Sequence, residues 1–267
     1  VDNMRFEIYP GETLGQVGES GCGKSTIGNV TMRLLKATGG ELLFEGEDVF
    51  QAKGKESQAF RRKMQIIFQD PYSSLNPRKT VRKILREPYE VQHMGTSEQI
   101  DQMVDKLCER VDIPPNLLDH YPHELDGGMR QVVGIARALS LNPKLIVCDE
   151  PVSSLDVSVQ AKIINLLMDI QKEMNLSYLF ISHDLSVVRH ISNRIAVMYL
   201  GRVVESGSAR AIFKNPIHPY TKGLLKSMPV LGNKSSERLH AIEGNVPVPL
   251  DPPDECGFCS RCQEKTA

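Results

Sequence analysis

Gly18-Glu19-Ser20-Gly21-Cys22-Gly23-Lys24-Ser25-Thr26 is the stretch that decides how the chain is read. It follows a short apolar run, Leu14 to Val17, and opens a segment of helical character from Lys24 to about Lys36, which Gly39-Gly40 stops. The pattern is that of a P-loop between a strand and a helix. Its glycines let successive backbone N–H groups turn inward around phosphate oxygens, and the helix N-terminus adds partial positive charge. Gly18, Ser20, Gly21, Cys22, Gly23, Lys24, Ser25 and Thr26 are therefore candidate nucleotide contacts. Lys24 is suited to the β- and γ-phosphates and the Ser25 hydroxyl to Mg²⁺. Unrelated motors, kinases and switches share this loop, so the discrimination must come from further along the chain.

Leu145-Ile146-Val147-Cys148-Asp149-Glu150 is an apolar strand ending in two adjacent carboxylates. An Asp-Glu pair alone would be read as a solvated turn. An apolar strand leading into it, in a chain that carries a P-loop, favours a catalytic pair. Asp149 is suited to the Mg²⁺ shell, and Glu150 to orienting and polarising an attacking water.

Around these motifs the chain alternates strands and helices. Met4–Ile8, Leu14–Val17, Glu41–Phe44, Met64–Phe68, Leu145–Cys148, Tyr178–Ile181 and Ile195–Met198 read as strands. Ser158–Met174 and Leu185–His190 read as helices. Such alternation predicts a mostly parallel sheet covered on both faces. Between Val81 and Ser140 the texture turns helical, and Ile100, Met103, Val104, Leu107 and Val111 recur at the spacing of one packed helix face. From Val230 onward prolines multiply and periodicity disappears, as in an appendage with little core of its own.

The chain has 267 residues, 40% hydrophobic and 24% charged, the balance of an ordinary globular protein. A formal net charge of -1 does not support a generally basic surface for nucleic acid or anionic lipid. No apolar run approaches the roughly 20 residues of a membrane-spanning helix. No leader is recognisable, and a start at Val1 leads us to expect an upstream segment. Cys22, Cys108 and Cys148 are scattered, and Cys256, Cys259 and Cys262 cluster late; this is not a disulfide scaffold, and it favours a reducing compartment.

Further motifs occur in a fixed order. They are Gln69 after Met64–Phe68, then Leu125-Asp126-Gly127-Gly128-Met129-Arg130-Gln131, then Ser153-Ser154-Leu155-Asp156, and His183 after Tyr178–Ser182. Together with the P-loop and the Asp149-Glu150 strand, the chain resembles the ABC ATPase family over almost its whole length. The resemblance implies an α/β fold: a P-loop NTPase (RecA-like) core, an N-terminal antiparallel β subdomain, an α-helical insert at about 71–140 and a C-terminal extension. The ATPase domain would span 1–229 and the extension, with its Cys-rich end, 230–267. It implies catalytic roles for Glu150, His183 and Lys24, with Ser25, Gln69 and Asp149 holding Mg²⁺. Leu125, Asp126, Gly127, Gly128 and Gln131 would form the signature segment that meets a partner's ATP, and Asp156 would belong to the D-loop. ATP and Mg²⁺ are the implied substrate and cofactor. The implied partners are a homologous second ATPase subunit, in a heterodimer or homodimer, two transmembrane permease subunits and, indirectly, an extracellular substrate-binding protein. No nucleic acid is expected, and the place implied is the cytoplasmic face of the cell membrane.

Three features depart from the family pattern. Asp126 stands where serine is usual, and a carboxylate cannot donate to a γ-phosphate as a hydroxyl can. Val132 follows Gln131 where arginine is frequent, and the aromatic residue that stacks on adenine would lie before Val1. The first points to a modestly weakened composite site in an asymmetric pair.

Finer resemblances narrow the group. Ile66-Ile67-Phe68-Gln69-Asp70-Pro71-Tyr72-Ser73-Ser74-Leu75-Asn76-Pro77 and His218-Pro219-Tyr220-Thr221 resemble the oligopeptide/dipeptide importers, most closely the second of their two ATPase subunits. Nickel and glutathione importers share these features, and a soluble ABC ATPase is the remaining alternative. Cys256-Gly257-Phe258-Cys259-Ser260-Arg261-Cys262 resembles three of the four ligands of a 4Fe–4S cluster; zinc and plain reduced thiols are the alternatives.

Overall fold

The structure is a computed structural model and describes residues 1–228, 242, 244 and 256–265. In chain order its elements are β1 (Thr13–Val17), α1 (Lys24–Thr31), β2 (Leu43–Phe44), β3 (Glu47–Asp48), α2 (Gly54–Lys63), β4 (Met64–Ile67) and α3 (Pro71–Ser74). Then come α4 (Val81–Val91), α5 (Ser97–Arg110), α6 (Gly127–Leu139), β5 (Leu145–Asp149), α7 (Val157–Met174) and β6 (Ser177–Ile181). The last are α8 (Leu185–Ile191), β7 (Arg194–Tyr199), β8 (Arg202–Ser208), α9 (Ala209–Lys214) and α10 (Pro219–Lys226), with a 3₁₀ turn at Cys259–Arg261.

The main sheet has the order β4-β5-β6-β1-β7-β8. Every neighbouring pair is parallel except β7–β8. Its inner strands are buried on both faces, which is why they read as continuous apolar runs rather than as alternation. Leu14, Val147, Leu179, Ile181, Ala196 and Met198 face α1 and its Ile27. Their neighbours Ile146, Cys148, Tyr178, Phe180, Ile195 and Val197 face the other way, into a core shared with α6, α7 and α8. The period of two along each strand thus feeds two separate cores.

Close approach at the centre of the sheet depends on Gly15. A Cβ there would lie 2.3 Å from Ser192 Oγ and 2.5 Å from Val188 Cγ1, so β1 admits α8 against its face only without a side chain. In the helical region Thr96 begins α5 with a capping box closed by Gln99. Ile100, Val104, Leu107 and Val111 are buried and Met103 is half-buried, as the spacing predicts.

Some expectations fail locally. Residues 4–8 carry no strand pairing, although Met4, Phe6 and Ile8 are half-buried and alternate with exposed Arg5 and Glu7. The apolar alternation therefore packs side chains without a hydrogen-bonded neighbour. Among the described residues the N-terminal antiparallel part reduces to the β2–β3 hairpin, two residues a side. Helix α1 ends at Thr31, five residues short of Lys36, because Arg33 takes a left-handed φ of 56° and the N–H groups of Leu34 and Leu35 both return to the Asn29 carbonyl. Strand β8 and helix α2 are not anticipated at all. The residues of β8 are half-buried or exposed, and α2 buries only Phe60, so neither announces itself through apolar periodicity.

Because Gly15 is closed off by α8, Gly15→Val should lower the free energy of unfolding by about 1–3 kcal/mol through overpacking. Urea denaturation followed by circular dichroism measures it.

Candidate nucleotide-hydrolysing site

Four neighbouring parallel strands end at one edge of the sheet, and each releases a motif there. β1 runs into the phosphate loop, β4 into Gln69, β5 into Asp149 and Glu150, and β6 into Ser182 and His183. Carboxyl ends of parallel strands are where open α/β sheets bind ligands. Register places the segments side by side, since Gln16 pairs with Ile181, and Asp149 pairs with Ile181 on the other side.

In the loop, Gly23 precedes α1 with a left-handed φ of 102°, a conformation that favours glycine. At Gly18 a Cβ would lie 2.3 Å from the Met198 carbonyl oxygen. Cys22 is buried, and that burial pushes its thiol above the ordinary range, so the loop carries a neutral sulfhydryl. Lys24 is only 5% exposed. Its Nζ donates to the carbonyls of Gly18 at 2.8 Å and Glu19 at 3.0 Å, parked on the loop's own backbone.

The two sides of the site touch directly. Ser25 Oγ donates to Asp149 Oδ1 at 2.8 Å. Asp149 is pushed above the usual carboxylate range, chiefly by burial; the Ser25 bond opposes this and the Glu150 charge adds to it. Glu150 sits at a left-handed φ of 47°, a conformation that costs a non-glycine residue about 1–2 kcal/mol. Its N–H is tied to the Ile181 carbonyl at 2.9 Å, so β6 holds it there. Glu150 Oε2 accepts from Gln69 Nε2 at 2.9 Å and lies 3.1 Å from His183 Nδ1. Gln69, Glu150 and His183, which are 114 residues apart from first to last (183 minus 69), thus meet on one oxygen.

Asp156 and the signature segment do not join this group. Asp126 is the N-cap of α6, its Oδ1 accepting the Met129 N–H at 2.7 Å. Serine is an equally good N-cap, so the local structure accepts either residue. Gly128 lets α6 approach α7, for a Cβ there would meet Val159 Cγ1 at 2.7 Å. Leu125 is buried in the core and Gln131 is buried to 1%, with its Nε2 lacking a partner. Gln131 therefore faces inward, away from the solvent-exposed position of Asp126. Val132, unexplained by the family pattern, packs half-buried on the main core, where arginine would bring a charge. Asp156 is the exposed N-cap of α7, with no side-chain capping bond.

Among the described residues the terminal cysteines do not come together as a metal centre. No group of three His, Cys, Asp or Glu side chains able to hold a metal occurs among the described residues. Phe258 and Arg261 are the residues of that segment turned inward, which leaves Cys256 exposed and Cys259 and Cys262 half-buried. Cys256 Sγ lies 3.9 Å from His218 Nε2.

Three residues at the loop escape sequence reasoning. The Glu19 carboxylate is paired with Arg261, and the Glu19 N–H donates to Tyr220 Oη at 2.9 Å. Tyr220 lies in the His218–Thr221 motif and Arg261 in the cysteine run, both visible in the sequence but with nothing to say what they touch.

Residues 1–153 match the family described as ABC transporter, and residues 204–267 that described as Oligopeptide/dipeptide transporter, C-terminal region. Similar curated proteins include the Oligopeptide transport ATP-binding protein AppF of Bacillus subtilis, 51% identical over 265 residues, covering 98% of this chain and 80% of that protein. The Oligopeptide transport ATP-binding protein OppF of Escherichia coli is 48% identical over 265 residues, covering 98% of this chain and 79% of that protein. Among solved structures, cbiO1 from Clostridium perfringens, part of the ABC transporter complex cbiONQ, aligns with a TM-score of 0.71 at 29% identity, over 79% of this chain and 83% of that one. The ATP-binding cassette MJ0796, dimeric and bound to ADP and Pi, aligns with a TM-score of 0.69 at 29% identity, over 77% and 88%.

Capping makes a stability prediction. Asp126→Ala should cost about 1 kcal/mol of unfolding free energy, and Asp126→Ser only a few tenths. Parallel urea titrations of the two variants check it.

Proposed function

The chain belongs to the ABC transporter family of ATP-binding subunits, and from that premise we propose that it hydrolyses ATP to drive peptide import. The similarity to oligopeptide transport ATP-binding proteins along nearly all of the chain supports the peptide cargo. The observation that carries the chemistry is the convergence of Gln69 and His183 on one Glu150 oxygen, Gln69 by a hydrogen bond and His183 with Nδ1 at 3.1 Å, from three strand ends.

In this reading Lys24 leaves its carbonyl partners for the β- and γ-phosphates, and the loop N–H groups hold the remaining phosphate oxygens. Ser25, Asp149 and Gln69 would hold Mg²⁺; their donors are all oxygens, the ligand type a hard cation takes, and two of them already share a 2.8 Å hydrogen bond. When bound, Mg²⁺ would neutralise phosphate charge. Glu150 orients a water for in-line attack on the γ-phosphorus and takes up its proton, while the bond to the bridging oxygen breaks and ADP leaves. His183 and Gln69 position that carboxylate and the transferred phosphoryl group. Among the described residues Cys256, Cys259 and Cys262 do not come together as a donor set, and no step of the proposed reaction runs through them.

No helix among the described residues is long and apolar enough to cross a membrane. The similarity to oligopeptide transport ATP-binding proteins supports permease partners, with this chain on the cytoplasmic face. A second nucleotide domain would present its own signature segment to this P-loop, and this chain's Asp126, Gly127 and Gly128 would face the partner's ATP. Asp156 would lie at the same interface, and the domain division at 229 is proposed with it. Asp126 places a carboxylate where a donor hydroxyl is usual, so the site it completes is the slower of the two. Nickel or glutathione remains the second reading for cargo, since those importers share the same motifs.

Two experiments test this. Glu150→Gln should lower the ATPase rate of the assembled transporter by at least about 100-fold while leaving ATP bound; an unchanged rate would remove Glu150 from the mechanism. Asp126→Ser should raise the ATPase rate of the complex, and an unaltered or lower rate would dismiss the weakened-site reading.

A further inference from the structure

We propose that Arg261 and Tyr220, from the C-terminal part of the chain, are positioning residues of the phosphate-binding loop and set its affinity for ATP through Glu19. This rests on the reading of Gly18–Thr26 as the ATP site. Glu19 is the second residue of that loop, and each of its polar groups is engaged. Its N–H donates to Tyr220 Oη at 2.9 Å, and its carbonyl accepts from Lys24 Nζ at 3.0 Å and from the Cys22 N–H at 3.3 Å. Its carboxylate is held in a two-point pair by Arg261, Nη1 to Oε2 at 2.8 Å and Nη2 to Oε1 at 3.2 Å.

Burial gives the pair its weight. The Arg261 side chain is only 5% exposed and that of Glu19 only 25%, so water screens their attraction far less than at an open surface. Arg261 is itself fixed. Its guanidinium lies 5.9 Å from the Tyr199 ring centre and 6.0 Å from that of Phe258, and Nη2 donates to the Ile242 carbonyl at 3.3 Å. Tyr220, fully buried, packs its ring tilted against Tyr199 and Phe258, with centroids 4.7 Å and 5.4 Å away. One aromatic cluster thus backs both hands that grip Glu19.

Two consequences follow for a polyphosphate. An unpaired carboxylate in the loop would repel it, and Arg261 neutralises that charge. The Tyr220 bond fixes the peptide whose carbonyl holds the Lys24 ammonium, so the loop and its lysine stand pre-formed before nucleotide arrives. Arg261 and Glu19 are remote in sequence but in direct contact in space.

The test uses the full chain. Equilibrium binding of Mg²⁺–ATP is measured for the wild type, R261A, E19Q/R261A and K24A, and KM and kcat for ATP in the assembled transporter. R261A should weaken ATP binding about ten-fold and raise KM more than it lowers kcat. E19Q/R261A should recover most of the affinity, because the uncompensated carboxylate is gone. R261M, which keeps volume beside Tyr199 and Phe258, is read in the same way if R261A does not fold. Unchanged affinity in R261A and R261M overturns the proposal, as does a double variant as weak as R261A. Wild-type binding by K24A would instead remove the reading of the loop as the ATP site.

Discussion

Everything at the site depends on parallel pairing among four strands, because it sends their carboxyl ends to one edge. Hydrogen bonds between β5 and β6 and between β6 and β1 fix the register to the residue. A one-residue slip would exchange the two faces of a strand and drive Tyr178 and Phe180 into the core built for Leu179 and Ile181. Burial on both faces therefore protects the chemistry indirectly. The same packing that stabilises the sheet determines how far Ser25 stands from Asp149, and Glu150 from His183.

Within that frame the reactive groups are held by one another. Lys24 rests on loop carbonyls, Ser25 on Asp149, and Gln69 and His183 on Glu150. Lys24 Nζ, Ser25 Oγ and Glu150 Oε2 are atoms that the proposed reaction needs, whereas Gln69 engages Glu150 through its nitrogen and not through the oxygen proposed for Mg²⁺. Lys24 Nζ and Ser25 Oγ thus already have protein partners where the proposed reaction gives them phosphate and Mg²⁺, which keeps these polar atoms satisfied. The left-handed backbone at Glu150 belongs to the same economy of position, since the bond from its N–H to Ile181 turns the carboxylate toward the neighbouring strand end.

The sequence makes the motifs legible because phosphate chemistry restricts residue type and spacing together. Glycines, a lysine and a hydroxyl at fixed offsets admit few other readings, and apolar runs of strand length mark β1, β5, β6 and β7 to within a residue or so. What stays hidden is of two kinds. Strand β8 and helix α2 lack a continuous apolar signal, and Met4–Ile8 has the alternation of a strand without a strand's partner. The second kind is long-range. Nothing local to Glu19 announces Arg261, nor does anything in Leu125–Gln131 foretell that Gln131 is buried while Asp126 caps a helix. In the sequence Arg261 stands only as a basic residue between two cysteines.

The order of strands has a bearing on how the protein is made. β1 lies at the middle of the sheet, yet its neighbours β6 and β7 begin at Ser177 and Arg194. The central strand is thus synthesised ahead of both of its partners and waits for them. The pair between Glu19 and Arg261 spans 242 positions, which at about 5–20 residues per second is a delay of roughly 10–50 s. Until Ser177 is made the phosphate loop has neither flanking strand, and until Arg261 is made it lacks its clamp.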